Sequence, residues 1–466
     1  MKNHQIKGYL WCLDKEISNG NIGGGLLCDE MGLGKTILMS SLMKINKKDK
    51  TLIVVPTILM SQWISIITKI FKKSPLVYHG NEAKNITFND VKNHNIVITT
   101  YGMISVRSGS ADRMFWNSLM WDIKWDRVIY DEAHHMRNRK SNIYKGALRL
   151  ITNISWLVTG TPIQNKWNDI CSLMYLLPYP ECKSLLATGN SVDIEEEMLV
   201  VFKYLLIRSK KGVGIKMPPK TEETIKVKFK GQQEKSLALD LHSRLNFTSV
   251  TRTNIHKLVK MMEMPISALT RTRQICTYPY MLSNMLDEEE ETEEFMKDMP
   301  DFMKMKNSKI SEVRKKILSE PKNEKKILFC HYKDEINIYK TLFKRAGYKV
   351  DNIDGSRTTK DKDKILKNKD LDILLLQIKS GCEGLNLQHF NQVYFTSPHW
   401  NPAIEDQAIA RVYRIGQQKE VKIFKFEKFD ELLKTNVDLI VLGISSKGIE
   451  WVADQLSSLY KDGNIP

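Results

Sequence analysis

Short apolar runs recur along the chain and are separated by longer polar stretches with helical spacing. Residues 26–28, 51–55, 96–99, 127–130 and 156–159 form a first series, and 326–330, 373–377, 392–395 and 421–424 form a second. Each run is too short for a helix and rich in Val, Ile and Leu. Such runs, alternating with helical stretches, predict parallel strands with helices packed on both faces. The first series closes through a helix-rich end at Leu176-Leu177 to Lys210, and Pro218-Pro219 then breaks the pattern, so a first lobe is expected over 1–222. From Gln233 to about Met305 the periodicity is helical with few glycines, and a helical insertion or linker is expected over 223–305. Its acidic run, 287–294, reads as a solvated loop or helix face. The second series predicts another lobe over 306–466. The fold class expected is therefore α/β, two parallel-sheet lobes covered by helices.

Charged groups stand just after several of these runs. Asp29-Glu30-Met31-Gly32-Leu33-Gly34-Lys35-Thr36 leads from an apolar strand into a glycine-rich turn and then a helix. Gly32 and Gly34 let backbone N–H groups approach an anion closely, and the following helix offers its positive end. In such a turn Lys35 reaches the β/γ-phosphates of ATP and Thr36 ligates Mg²⁺. The usual spacing begins with Gly where this chain has Asp29. Residues 127–130 deliver Asp131 and Glu132 to the carboxyl end of a strand, where ligands gather in open α/β sheets. Asp131 suits the metal and Glu132 the attacking water. Far downstream, residues 406–414 have helical spacing that puts Arg411 and Arg414 on one face, as guanidinium fingers for a γ-phosphate. Lys35, Asp131, Glu132, Arg411 and Arg414 together read as the catalytic set of an ATP-driven motor.

Beside these parts, His4-Gln5, the stretch 156–165 and Arg414-Ile415-Gly416-Gln417 resemble the Swi/Snf-type ATPases of helicase superfamily two, over almost the whole chain. Asp131-Glu132-Ala133-His134-His135 and residues 397–402 resemble most the branch of the Rad-type repair translocases and Lodestar-type terminators. The resemblance accounts for Asp29, because that family writes its loop Asp-Glu-Met-Gly-Leu-Gly-Lys-Thr. It implies two RecA-like lobes with an ATP cleft, ATP and Mg²⁺ as cofactors, and double-stranded DNA as the track. It assigns the nucleotide to Gln5, Asp29, Glu30, Met31, Gly32, Leu33, Gly34, Lys35, Thr36 and Gln407, and the metal to Thr36 and Asp131. Loops carrying Pro56, Gln62, Thr99, Tyr101, Lys379, Asn386 and Trp400 are expected to hold DNA phosphates without reading sequence. Thr159-Gly160-Thr161 and His134 are expected to couple nucleotide to track, Gln164 and Asn165 to be structural, and His135 to lie at the surface. Two positions depart from the family: Cys382 stands for a second glycine, and Ala410 for the acid before the finger arginine.

Composition adds a preference for a polyanion. Lys plus Arg total 71 against 54 acids, a net charge of +17, which suits nucleic acid. Seven scattered cysteines show no CxxC pair or zinc spacing and read as reduced thiols. No run approaches a membrane span, and residues 1–16 lack the apolar core of a signal peptide. The resulting expectation is an intracellular, nuclear or viral protein that remodels or displaces DNA-bound protein, with chromatin, transcription or repair partners on a separate targeting subunit. A strand-separating DNA or RNA helicase and a catalytically inactive DNA-binding scaffold remain open alternatives.

Overall fold

The computed structural model describes residues 2–18, 20, 22–106, 118–163, 167–184, 194–236, 238, 273–274, 276–279, 281, 307–378, 385–399 and 402–428. The chain divides into two compact units, Met1–Lys216 and Met217–Pro466.

In the first unit the strands are β1 Gly23–Leu27, β2 Thr51–Val55, β3 Leu76–Tyr78, β4 Ile96–Thr100, β5 Lys124–Trp125, β6 Arg127–Asp131, β7 Ile151–Thr152, β8 Ile154–Val158 and β9 Leu205–Leu206. Seven of them form one sheet in the order β3-β4-β2-β6-β8-β1-β9, with parallel pairing throughout; β5 and β7 form a small pair apart. The apolar runs are continuous because both faces are covered. Leu26, Val54, Val128 and Leu157 pack on one side, and Leu27, Val55, Ile129 and Val158 on the other, against helices α2 Lys35–Ile45 and α3 Met60–Phe71. Helix α1, Asn3–Ile17, joins that second layer through Cys12. Register then sets the geometry of the site. Leu27 and Asp131 both align with Val158, so the loops after β1, β6 and β8 leave the sheet at one edge.

At the opposite edge a buried ion pair ties the layers together. Arg127, at the start of β6, donates through Nε to Glu16 Oε1 at 2.6 Å, and Asn46 and Trp156 donate to the same carboxylate at 2.6 and 2.8 Å. Glu16 and Arg127 side chains are both fully buried.

The second unit carries β10 Lys220–Val227, β11 Lys326–Cys330, β12 Val350–Ile353, β13 Ile373–Gln377, β14 Gln392–Phe395 and β15 Val421–Lys428, in the sheet order β10-β15-β14-β11-β13-β12. Strand β10 moves the expected boundary. The sequence reading ended the first lobe at Glu222, whereas residues 220–227 pair with β15 over their whole length. An edge strand that is mostly exposed needs no apolar run, and its Glu222 and Glu223 instead meet Lys425 at 2.6 Å and Lys316 at 3.0 Å. Of the expected helical insertion, residues 239–272 and 282–306, including the acidic run, lie outside the described residues. Within residues 273–281, Arg273 is buried and donates to the Pro398 carbonyl, which makes it part of the second unit's packing. Buried Lys309 and Lys428 are held by Ser397 and Glu234, each at 2.7 Å, consistent with the rule that buried charge is paired.

Candidate functional site

The loop between β1 and α2 is shaped by glycine. Gly32 and Gly34 have φ of 92° and 89°, the left-handed region, and a Cβ on Gly34 would stand 2.3 Å from Gln5 Nε2. The turn is gripped from outside by α1: Gln5 Nε2 donates to the Leu33 carbonyl at 3.2 Å, and His4 Nε2 lies 3.1 Å from the same oxygen. Gln5 Oε1 accepts the Lys2 N–H at 2.9 Å. The Gln5 amide, assigned to the nucleotide by the resemblance, braces the loop in this structure. Lys35 opens α2 and its Nζ donates to the Asp29 carbonyl at 2.7 Å, inside the turn that would hold the phosphates. Gly34→Ala is expected to weaken nucleotide binding at least tenfold and to lower the melting temperature by a few degrees, because both the backbone and the Gln5 contact oppose a side chain. Titration with a fluorescent ATP analogue checks this, and unchanged affinity would refute it.

The acids of this loop face away from it. Asp29 is 1% exposed, and its carboxylate takes a two-pronged contact from Arg208, with Nε to Oδ1 at 2.9 Å. Glu30 pairs with Lys210 at 2.7 Å. Arg208 and Lys210 follow the edge strand β9, where the sequence reading expected a helix-rich end. Their alternation opposite the adjacent Asp29 and Glu30 is the signal that sequence reasoning missed. Asp29 and Glu30 therefore fix the loop to the sheet edge, and what they offer a ligand is backbone. Met31 and Leu33 are buried, and Thr36, in the first turn of α2, is half-buried.

Asp131 ends β6 and is 5% exposed. Its Oδ1 accepts the Glu132 N–H at 3.0 Å, its Oδ2 accepts Trp63 Nε1 at 2.7 Å, and its carbonyl accepts the Tyr101 hydroxyl at 2.8 Å. Burial, with Glu132 beside it, pushes its carboxyl up to about 6, while Trp63 and Lys35 pull it down. Glu132 sits at φ 52°, the left-handed region that non-glycine residues rarely enter, at a cost on the order of 1–3 kcal/mol. That backbone turn aims the carboxylate at His134, whose Nδ1 is 3.4 Å from Glu132 Oε2 and 3.1 Å from Thr159 Oγ1. Thr159 also accepts the Thr161 N–H at 3.2 Å, and a Cβ on Gly160 would lie 3.3 Å from Lys35 Nζ. Lysine, acid pair, histidine and threonine thus form one connected group.

Several residues lie elsewhere than the sequence suggested. Thr99 is fully buried with its hydroxyl donating to the Tyr78 carbonyl at 2.8 Å, and Tyr101 is 5% exposed beneath Asp131. Thr99 lies within the interior strand β4 and Tyr101 just beyond its end, and both side chains are buried. Trp63, next to Gln62 on α3, is a buried partner of Asp131. Pro56 is buried, and Gln62 and Asn386 are exposed. His135 is half-buried rather than fully exposed: its ring is stacked on His134 at 4.8 Å and tilted against Tyr101 at 5.2 Å. In the second unit the helix Pro402–Val412 carries Gln407 and Arg411 one turn apart, with Gln407 buried. It stops before Arg414, so the two arginines do not share a helical face. Gln417 Nε2 takes the terminal Val412 carbonyl at 3.3 Å and the Gln388 and Phe390 carbonyls at 2.9 Å, and Gly416 turns the chain at φ 106°. Arg414 nevertheless lies close enough to Arg411 that burial and that neighbouring charge lower its pKa. Lys379, Trp400, Gln164, Asn165 and Cys382 lie outside the described residues.

Trp63→Phe is expected to keep the packing and remove one donor from Asp131. Its carboxyl then rises further above about 6, so the proton competes better with a divalent cation in that range. Mn²⁺ affinity should fall several-fold at pH 6 and much less at pH 8, as read by electron paramagnetic resonance. Equal losses at both pH values would refute the contact's role.

Residues 4–281 match the family model described as SNF2-related domain, and residues 308–416 match the helicase conserved C-terminal domain. Among similar proteins, a probable global transactivator of Orgyia pseudotsugata multicapsid polyhedrosis virus is 27% identical, over 91% of this chain and 85% of its own. The DNA repair protein RAD5B of Arabidopsis thaliana is 24% identical over 86% of this chain, and the ATP-dependent helicase brm of Drosophila melanogaster 27% over 91%. The alignments cover 43% and 27% of those two longer proteins. A solved structure described as the Sulfolobus solfataricus SWI2/SNF2 ATPase core in complex with dsDNA aligns with 91% of the chain at 25% identity and a TM-score of 0.41.

Proposed function

The chain belongs to the SNF2-related family, with a helicase-type C-terminal domain, and from that premise we propose that it is a double-stranded-DNA-stimulated ATPase that moves along duplex DNA and displaces or remodels bound protein. The observation that carries this reading is the single edge of the first sheet. There a left-handed glycine turn with Lys35, the Asp131–Glu132 pair and the Thr159–His134 link leave adjacent strands in register.

The residues present fit ATP and Mg²⁺. Gly32, Gly34 and the start of α2 offer N–H groups to phosphate oxygens, and a buried Asp131 carboxylate still has lone pairs beyond the Trp63 and Glu132 contacts. Thr36 and Asp131 would hold the cation, which when bound neutralises charge on the phosphates. Glu132 orients the attacking water and takes its proton, and Lys35 steadies the transferred phosphate. This reading retains Arg411 and Arg414 of the second unit as catalytic residues. His134 and Thr159 report the state of Glu132 to the backbone at 159–161. We assign residues 1–216 as the ATP-binding unit and the residues from 217 onward as the C-terminal unit. DNA contacts are retained for Gln62, Asn386, Lys379 and Trp400, and for the loop that carries Pro56, whose own backbone has no N–H to donate. The proteins displaced, and chromatin, transcription or repair partners, belong to this reading too.

The test is ATP turnover with duplex DNA, single strands and RNA, joined to displacement of a third strand from a duplex track. Duplex should stimulate most, and its affinity should fall steeply with salt, log K dropping by about 0.9 per phosphate contact per log unit. Stimulation mainly by RNA, or strand separation of the duplex itself, would replace this reading with that of a helicase. No turnover on any nucleic acid would favour a scaffold.

A further inference from the structure

On the first unit, at the sheet edge opposite the nucleotide loop, lies a hollow of about 350 Å³ between the C-terminal ends of α2 and α3 and the starts of β2 and β4. It is lined by Thr51, the first residue of β2, whose five residues put it about 13 Å from the loop-bearing edge. Its floor is apolar: Met43 and Ile67 are buried and Phe71 is half-buried. Its rim carries Lys44, Lys47, Lys48 and Lys73 against one acid, Asp49. Among the described residues none of these four lysines forms an ion pair. Lys44 lies 5.2 Å over the Phe71 ring. Their neighbour Lys50 behaves differently, donating inward to the Val91 and His94 carbonyls at 3.1 and 3.0 Å. Lys50 is therefore structural, while the others leave their charge at the mouth of an apolar cavity.

We propose that this hollow docks an acidic peptide segment of a partner protein, one apolar side chain entering the floor and flanking carboxylates meeting the lysines. One feature favours a peptide over nucleic acid: a phosphodiester would leave the floor of Met43, Ile67 and Phe71 empty, whereas an apolar side chain fills it. Because the four cations repel one another in the free protein, an acidic ligand relieves that repulsion as well as burying an anchor. The site is remote from Lys35 and Asp131, so an occupant leaves the nucleotide loop open and serves to bring the ATPase to its place of work.

The experiment is fluorescence anisotropy with a labelled Asp-Glu-Asp-Phe-Glu-Asp-Glu peptide, its Phe-to-Ser form and a labelled short duplex, each on the full chain at low salt. The Phe peptide should bind with Kd below about 100 μM. The Lys47→Glu/Lys73→Glu double variant should lose at least tenfold for the peptide, the Ser peptide should also lose about tenfold, and duplex affinity and ATP turnover should stay within twofold. Lys47→Gln/Lys73→Gln serves as the milder form should charge reversal lower the melting temperature. No binding up to about 1 mM, Phe and Ser peptides binding alike, or charge reversal that spares the peptide would each overturn the proposal. Loss of duplex affinity equal to loss of peptide affinity would also overturn it, assigning the surface to nucleic acid.

Discussion

Glu132→Gln is expected to lower duplex-stimulated ATP turnover by about 10²–10⁴-fold, the usual worth of a positioned general base, while leaving nucleotide affinity within a few-fold. The side chain keeps its length and its strained backbone, φ 52°. What disappears is the charge that faces His134 at 3.4 Å and would accept a proton from water. Removing that charge also removes one of the causes that raise Asp131, so cation binding should not weaken. The separation of effects is the useful part. A loss of turnover with retained ATP and Mg²⁺ binding isolates the chemical step, whereas Gly34→Ala acts on binding. Single-turnover hydrolysis beside equilibrium nucleotide titration distinguishes them, and a variant that hydrolyses ATP within a few-fold of the parent would remove Glu132 from the role assigned here.

Glu16→Ala is expected to destabilise the first unit by about 3–5 kcal/mol, the cost of leaving a buried charge without its partner. Arg127 is fully buried, and the lost carboxylate also accepts from Asn46 and Trp156. For a unit of this size the midpoint of thermal unfolding should fall by roughly 10 °C. The cause is the orphaned guanidinium rather than the lost attraction, so replacing both partners, as in Glu16→Leu with Arg127→Met, should recover most of the stability. Differential scanning calorimetry of the two variants decides the matter. A single variant that melts within a degree or two of the parent, or a double variant worse than the single, would show that the pair is not buried as described.

Much of this was legible beforehand. The interior strands were visible because a parallel sheet covered on both faces requires unbroken apolar runs, as in residues 51–55 and 373–377. The glycine turn before Lys35 and the acids after β6 were visible because their chemistry fixes residue type and spacing. Strand β10 was not, since an exposed edge strand places no demand on apolarity. Nor was the end of the helix before Arg414, where Gln417 reaches the Val412 carbonyl and two carbonyls of the loop at 388–390.

Chain order and residue type determined by themselves that the molecule has two α/β lobes and that one carries a glycine turn before Lys35 and an acid pair, because short-range spacing alone specifies those features. Only the tertiary structure decided that Asp29 and Gln5 brace that turn, that Trp63 and Tyr101 hold Asp131, and that His135 stacks on His134. The same polar side chain serves a ligand or its own fold according to which partner lies within hydrogen-bond reach, and that is settled by strands and helices distant in sequence.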